Sequence, residues 1–216
     1  MAVLLWSSLT PTEQVALLEG HRVFYDAGCD LLDSDDVFVE DISADLVATG
    51  SSVGRDIYRT LHGSCRLNLS RDASWGSARL RPFISVSSDG VTWYRQNLGV
   101  YLPSTPERRI GQIPAVYAVE GFDKLDILNT PHGSTYALAS GASIITAVEG
   151  LITGAGEAKV NIDQTAALVT AAADMVFPLT DNATTLQIIN ELLDSIGYRP
   201  LRVDREGWFQ SVPYLS

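Results

Sequence analysis

The chain has 216 residues, of which 46% are hydrophobic, and a formal net charge of −11. This length and composition supply a sizeable core and exclude a disordered chain. The net acidity argues against a nucleic-acid-binding protein, and no apolar run approaches the roughly 20 residues of a membrane helix. The two cysteines, Cys29 and Cys65, have no CxxC partner, and residues 1–5 lack the basic region of a secretory signal. We therefore expect assembly in a reducing cytoplasm, without membrane insertion.

The charge is unevenly distributed along the chain. Residues 1–50 hold ten acidic residues and one basic residue (−9), residues 51–132 hold seven and ten (+3), and residues 133–216 hold nine and four (−5). An asymmetry of this kind bears on association between molecules rather than on the fold. It favours contacts between different parts of neighbouring copies, because a contact of the acidic segment with itself would be repelled.

An N-terminal helix or arm is predicted over residues 1–20. Thr10 and Glu13 have the spacing of a capping box, and Pro11 occupies the first helical position. The apolar residues that follow end at Gly20, which predicts the end of the helix there.

An acidic stretch comes next, with eight acidic residues within positions 26–45. A calcium loop of the EF-hand type starting at Asp33 would need a glycine and a glutamate where the chain has Phe38 and Ala44. We interpret the stretch as a solvated acidic rim around a strand at 37–39. A bound ion stays an open alternative.

Residues 79–102 carry the clearest predicted element, a β-hairpin. Apolar and polar residues alternate over 79–86, the period of a strand with one face on a core. Asp89-Gly90 then breaks the pattern, and this pair is favoured in tight turns because glycine adopts positive φ without steric cost. We predict that 79–86 and 91–102 pair antiparallel.

Another strand is predicted over 57–70, and several arginines lie on or beside these strands. The net acidity opposes a phosphate-binding stripe, so we interpret the arginines as solvated or paired with acids, including acids of a neighbouring subunit. The large amphipathic aromatic residues are suited to the same contacts. The predicted interface residues are Arg66, Arg79, Arg81, Trp93, Tyr94, Trp208 and Tyr214.

The character of the chain changes at the turn-rich segment 129–134, which we take as the boundary between a domain over 21–132 and one over 133–216. In the second domain, apolar spacing predicts helices near 142–152 and 182–196. Asp181 is placed to cap the second helix. A hairpin is predicted over 198–212.

Catalytic and cofactor-binding patterns are absent from the sequence. The three histidines are His21, His62 and His132, and the last two stand in His-Gly-Ser contexts without the Gly-x-Ser-x-Gly elbow of a serine hydrolase. Cysteines and histidines do not fall at zinc spacing, and no Gly-Lys-Ser/Thr follows the glycines near 154–156. We predict a protein that is not an enzyme and that has no cofactor and no metal site, apart from the alternative of a bound ion in the acidic stretch 26–45.

Residues 178–214, PLTDNATTLQIINELLDSIGYRPLRVDREGWFQSVPY, resemble minor tail proteins of siphophages, particularly those that infect actinobacteria. Four earlier segments, taken in order, are similar to the tube-forming barrel of tail hub proteins. They are RLRPF at 79–83, SDGVTW at 88–93, LGVYL at 98–102 and VEGFD at 119–123. The resemblance covers nearly the whole chain.

The predicted fold is therefore α+β, with an antiparallel β-barrel of the tail-tube type followed by a smaller helix-plus-hairpin domain. The resemblance implies a structural role at the virion tail tip, as a hub ring that continues the tail tube and connects it to spike or receptor-binding proteins. Other implied partners are the distal tail and tape-measure proteins, with DNA passing without specific binding. Longer hubs continue into a second barrel whereas this chain stops at Ser216, which leaves a trimer and a hexamer as alternatives.

Two other functions stay open at this stage. One is a carbohydrate- or host-surface-binding tail module, and the other is a hydrolase with an unrecognised site. Trp93, Tyr94 and Trp208 in an open groove would favour binding, whereas burial in the sheet or at subunit contacts would favour the hub.

Overall fold

A computed structural model describes residues 2–19, 23–55, 63–71, 75–105, 107–109, 116–164 and 169–214. The described residues separate into two compact units, one ending at Phe122 and the other starting at Asp123. Leu125 and Leu128, which precede the predicted boundary at 132, are buried in the core of the second unit. None of the helices described has the length and hydropathy needed to cross a membrane.

The first unit is built on one mixed sheet. Its elements are β1 (Ala2–Leu5), α1 (Pro11–Leu18), β2 (Phe24–Leu32), β3 (Phe38–Asp41), β4 (Leu46–Arg55), β5 (Gly63–Leu69), β6 (Arg79–Ser87), β7 (Thr92–Asn97), β8 (Tyr101–Pro103), β9 (Glu107–Arg109) and β10 (Val116–Asp123). The paired strands run in the order β1-β7-β6-β8-β10-β5-β4, with β2 and β3 joined through β6 and β9 joined through β10. Short 3₁₀ turns follow β1 and β3, at Trp6–Ser8 and Ser43–Asp45.

The sheet does not close into the predicted barrel within the residues described here. No pairing of the described strands joins β4 back to β1, so these two strands are the ends of the path. Their local structure explains this, because β1 lies parallel to β7 as an added edge strand and β4 is interrupted by a bulge between Val47 and Ser52. The α+β class is confirmed, and barrel closure is not.

The central hairpin is confirmed. β6 and β7 pair antiparallel from Phe83↔Asn97 to Val86↔Tyr94, and Gly90 in the turn has a φ of 75°. The predicted second strand of the hairpin, 91–102, is split into β7 and β8, and both pair with β6. Gly99, with a φ of 144°, lies at the break between them, a conformation that favours glycine.

The Asp89 carboxylate organises the hairpin turn. It accepts hydrogen bonds from the backbone N–H groups of Thr92 and Val91, both at 2.8 Å, and from the Ser87 hydroxyl at 2.9 Å. These bonds stabilise the ionised form and lower the pKa of Asp89 to about 2. The turn is thus held by a charge-assisted network at the surface.

We expect the contribution of Asp89 to stability to depend on pH. The folded pKa is depressed, so the contribution is complete above the unfolded value of about 4 and is lost as the pH falls towards 2. The carboxyl chemical shift of Asp89, followed by NMR, should show a midpoint near the lower value. Asp89→Asn should remove this step from the pH profile of stability, and a midpoint near 4 would contradict the assignment.

Gly28 on β2 occupies a position with no room for a side chain. A Cβ atom there would lie 2.2 Å from Ser43 Oγ and 2.3 Å from Phe83 Cζ. Ser43 Oγ is itself fixed, because it accepts a hydrogen bond from the Cys29 N–H at 3.1 Å and donates one to Asp41 at 2.5 Å.

Gly28→Ala is therefore expected to lower the free energy of unfolding by about 1–3 kcal/mol through overpacking. Gly54→Ala on β4 is the matched control, since the nearest atom to its Cβ would be Ser64 Oγ at 3.8 Å. The control should change stability by less than about 0.5 kcal/mol in urea titrations. Equal losses in the two variants would show that the close approach at Gly28 is not the cause.

The core of the first unit is formed by buried side chains of its sheet strands. Cys29, Leu69, Leu80 and Val119 are fully buried and come from β2, β5, β6 and β10. Both cysteines are free thiols, and burial raises the pKa of Cys65 to about 12 and raises that of Cys29 as well. Neither thiol is therefore available as a thiolate near neutral pH.

The second unit packs helices on two small sheets around its own core. Its elements are α2 (Leu125–Leu128), β11 (Tyr136–Leu138), α3 (Ile144–Gly154), β12 (Val160–Ile162), β13 (Met175–Phe177), α4 (Thr185–Ser195), β14 (Arg202–Val203) and β15 (Phe209–Ser211). β11 pairs with β13, and β15 lies between β12 and β14. Both predicted helices and the predicted hairpin are present.

The beginning of α4 differs from the prediction. The N-cap is Thr184, whose hydroxyl accepts the Gln187 N–H at 3.2 Å, and the Gln187 side chain accepts the Thr184 N–H at 2.8 Å. Asp181 instead lies in a 3₁₀ turn, Leu179–Asp181. The reciprocal capping box satisfies two backbone N–H groups, which a single aspartate cap does not.

A buried ion pair fixes the connections of the second unit. Lys124 Nζ lies 2.5 Å from Glu157 Oε2 and donates to the carbonyl oxygen of Gly207 at 3.0 Å. The two side chains are 0% and 3% exposed, and the ammonium group lies 5.1 Å from the ring centroid of Phe209. The pair thus joins the segment after β10 to the segment before β12 and to the β14–β15 turn.

Candidate assembly interface

Two of the predicted interface arginines point into the chain itself. Asp30 on β2 lies directly opposite Arg81 on β6, and its carboxylate accepts hydrogen bonds from that guanidinium at 2.8 and 3.1 Å. The same carboxylate oxygen binds Arg95, whose guanidinium lies 3.6 Å above the Phe83 ring. Asp30 is 1% exposed, so this cluster belongs to the interior of the sheet.

The second internal pair joins Arg79 to Asp36, with 2.6 Å between Nη1 and Oδ1 and both side chains buried. Asp36 lies in the β2–β3 turn with a φ of 60°. In the same turn the Asp33 carboxylate accepts the N–H groups of Asp35 and Val37. Acids of this chain, rather than acids of a neighbour, therefore pair with Arg79 and Arg81.

The acidic stretch is thus used in part for folding. Within the described parts of the chain, no group of three His, Cys, Asp or Glu side chains is placed to hold a metal ion. Asp41 is bonded to Ser43, whose hydroxyl and N–H lower the pKa of its carboxyl. The predicted rim around 37–39 combines these acids with exposed apolar side chains.

The remaining predicted interface residues divide between the units. Arg66 is exposed on β5 and lies 3.3 Å from Glu120, its cross-strand partner on β10. Trp93 and Tyr94 are half-buried on β7, where β1 pairs with them. In the second unit, Trp208 is 40% and Tyr214 is 52% exposed. The seven residues therefore do not form one surface within a unit.

Two exposed apolar surfaces of the first unit were not predicted. The first is the arm, which we define as residues 2–19. No described side chain of the arm is buried, and its most exposed large apolar residues are Val3, Leu4, Leu5, Val15 and Leu18. The second is the edge strand β3 with the residue before it, where Val37, Phe38 and Val39 are 54–58% exposed. A continuous apolar run is the pattern of a buried strand, so the sequence does not indicate that these residues are exposed.

A shallow depression crosses β4, β5 and β10. Its volume is about 320 Å³, and small residues line much of it: Ser52, Gly54, Ser64 and Gly121. Cys65 and Phe122 supply apolar surface, and Arg66 and Glu120 lie at the same place. Gly121 needs to be glycine, because a Cβ atom would lie 2.9 Å from the carbonyl oxygen of Leu102.

Of the three histidines, His132 lies among the described residues. His132 Nδ1 lies 3.2 Å from Thr185 Oγ1, and its ring packs edge-on against Tyr136 with 5.6 Å between centroids. The contact places His132 beside Thr185, the first residue of α4. His21 and His62 lie outside the described residues.

The chain has a fold that is found in phage tail proteins. A tail protein from Neisseria meningitidis MC58 matches 89% of this chain with a TM-score of 0.58 and 13% identity. The prophage tail protein gp18 from Listeria monocytogenes EGD-e matches 86% with a TM-score of 0.50 and 10% identity, and a chain of the Francisella PdpA–VgrG complex matches 89% with a TM-score of 0.53 and 7% identity. At these identities the likeness establishes the fold.

The chain spans about half the length of the two tail proteins, 53% and 50%, and 28% of the chain from the complex. No protein-family model matches the sequence. A search of curated proteins also finds no match.

Proposed function

We propose that this chain is a structural component of a bacteriophage tail, a hub ring at the tail tip that continues the tail tube and connects it to spike or receptor-binding proteins. The observation that carries the proposal is the fold. It resembles that of the Neisseria tail protein over 89% of the chain. The resemblance of residues 178–214 to minor tail proteins of actinobacterial siphophages supports the tail tip as the proposed position in the virion.

The charge distribution and the open sheet support assembly into a ring. The segments with −9 and +3 are complementary between neighbours, and repetition of one heterologous contact closes a ring. Three or six copies around a pore would then complete a tube-type barrel from sheets that do not close within the described residues of one chain. We propose a lumen of acidic or small polar residues, along which DNA passes without specific binding.

A structural role also agrees with the surroundings of the groups suited to chemistry. The Cys29 and Cys65 thiols are buried with raised pKa values, and His132 is bonded to a helix N-terminal threonine. We therefore propose no catalytic function. The PdpA–VgrG likeness is in keeping with partners of the spike type, alongside distal tail and tape-measure proteins.

One observation favours the alternative, a carbohydrate- or host-surface-binding module. Trp208 and Tyr214 present exposed aromatic side chains in the second unit. Aromatic residues of this kind stack on sugar rings and anchor protein contacts. Loss of binding to host cell-wall material on Trp208→Ala, without a change in assembly, would support this alternative over the hub.

Native mass spectrometry of the purified chain tests the ring, together with electron microscopy of the particles. We expect a mass of three or six chains and ring-shaped projections with a central pore. A monomer at high protein concentration, or a two-fold dimer joined through residues 26–45, would overturn the proposal.

A further inference from the structure

We propose that the arm of one copy binds, in the next copy, the edge of β4 with which no described strand pairs, and that its apolar side chains lie over the depression on β4, β5 and β10. This contact rests on the proposed ring and specifies which surfaces form it. The occupant of the depression is therefore a second copy of this chain.

The arm is a formed structure without a core of its own. A reciprocal capping box between Thr10 and Glu13 begins α1, and Gln14 donates hydrogen bonds to the carbonyl oxygens of Trp6 and Leu9. Yet α1 has only eight residues and buries none of them. Helices of this length are marginal by themselves, and clustered exposed apolar side chains mark contact surfaces.

β4 presents an edge that matches β1 in length. Among the described strands β4 pairs only with β5, and residues 52–55 continue that pairing after the bulge. The bulge is fixed by hydrogen bonds from the Asn68 backbone N–H to Ser51 Oγ at 2.9 Å and from Asn68 Nδ2 to the Thr49 carbonyl oxygen at 2.8 Å. The four residues 52–55 are therefore in regular pairing with β5 on one side and present their other edge, and β1 also has four residues.

The depression beside this edge suits branched aliphatic side chains. Gly54 and Gly121 have no side chains to fill it, and Ser52 and Ser64 have small ones. Phe122, which is 43% exposed, supplies apolar surface. Side chains such as Val3 and Leu5, which are 52% and 55% exposed in the arm, are of the size to occupy it.

Strand topology, together with the charge of the arm, favours another copy as the occupant. The arm carries Glu13 and Glu19 without any Lys or Arg, and the charged residues that line the depression are Arg66 and Glu120. β1 and β4 are also the two ends of the strand path. Pairing the β1 end of one copy with the β4 end of the next joins the two ends of this path and repeats around a ring.

Paired cysteines test the contact in the full chain. Val3→Cys combined with Gly54→Cys should give, under mild oxidation, a ladder of crosslinked species up to the size of the ring. An equimolar mixture of the two single variants should stop at dimers. Cys29 is buried, and Cys65 is buried but also lines the depression, so the Gly54→Cys single variant is oxidised alone to show any competition from Cys65. The control combines Val3→Cys with Val39→Cys. Val39 is exposed, as Gly54 is, but it lies on the acidic strand β3, so this pair should give no ladder.

Two further variants separate this contact from the ring itself. Leu5→Asp in the arm and Gly54→Trp in the depression should each abolish the ring mass while retaining the circular dichroism of the folded chain. A ring that persists in Leu5→Asp, or a ladder only in the control pair, would overturn the arm contact and leave the ring standing. A wild-type monomer would overturn the ring and the arm contact together.

Discussion

Replacement of Glu157 by leucine is expected to lower the free energy of unfolding by roughly 3–5 kcal/mol. The change leaves the ammonium group of Lys124, which is 0% exposed, without its carboxylate partner and beside the Phe209 ring. The Gly207 carbonyl oxygen at 3.0 Å does not neutralise the charge. Burial of an uncompensated charge is the cause of the large effect. Urea unfolding followed by circular dichroism measures it.

The double variant Lys124→Met with Glu157→Leu is the informative control. Removal of both charges replaces the pair by apolar groups of similar size, and such replacements are often neutral. Lys159→Met tests a lysine of the same unit that is not buried, and its effect should stay within about 0.5 kcal/mol. A double variant as unstable as Glu157→Leu alone would show that shape, and not charge, holds these segments.

Asp30→Ala is expected to destabilise the first unit by a similar amount, roughly 3–5 kcal/mol. Its carboxylate binds both Arg81 and Arg95, and these guanidinium groups are less than one-fifth exposed. Without Asp30, two partly buried positive charges on β6 and β7 lose the carboxylate that binds both of them. The pairing of β2 with β6 then loses its cross-strand ion pair.

The matched control for Asp30→Ala is Glu120→Ala, which removes the exposed partner of Arg66. A surface pair of this kind contributes at most about 1 kcal/mol. Thermal unfolding at low and high salt distinguishes the two, because salt screens only the exposed pair well. Comparable losses in the two variants would contradict a structural role of the buried cluster.

Elements set by short-range patterns were predicted well. The hairpin of β6 and β7 follows from alternation and an Asp-Gly turn, and α3 and α1 follow from apolar spacing and a capping residue. In each case the signal lies within a few residues of the element. The start of α4 was misplaced because Asp181 and Thr184 are both good N-cap residues, and only the partner Gln187 distinguishes them.

Long-range pairings could not be read in the same way. Arg81 finds Asp30 across 51 residues of sequence, and nothing local to either residue specifies that partner. The predicted interface was chosen by residue type, so it included arginines that the sheet turns inward. It also omitted the arm. The sequence predicts a short helix there but does not show that the apolar side chains of this helix stay exposed.

The parallel pairing of β1 with β7 has a consequence for the time course of synthesis. Ala2 pairs with Thr92, so β1 leaves the ribosome about 90 residues before its partner strand. At about 5–20 residues per second, this amounts to roughly 5–20 seconds during which an apolar strand has no pairing edge. The capping box of α1 can form in that interval, because its contacts are local. Nascent chains of this protein should therefore be bound by holding chaperones at the arm until residues 92–97 have emerged.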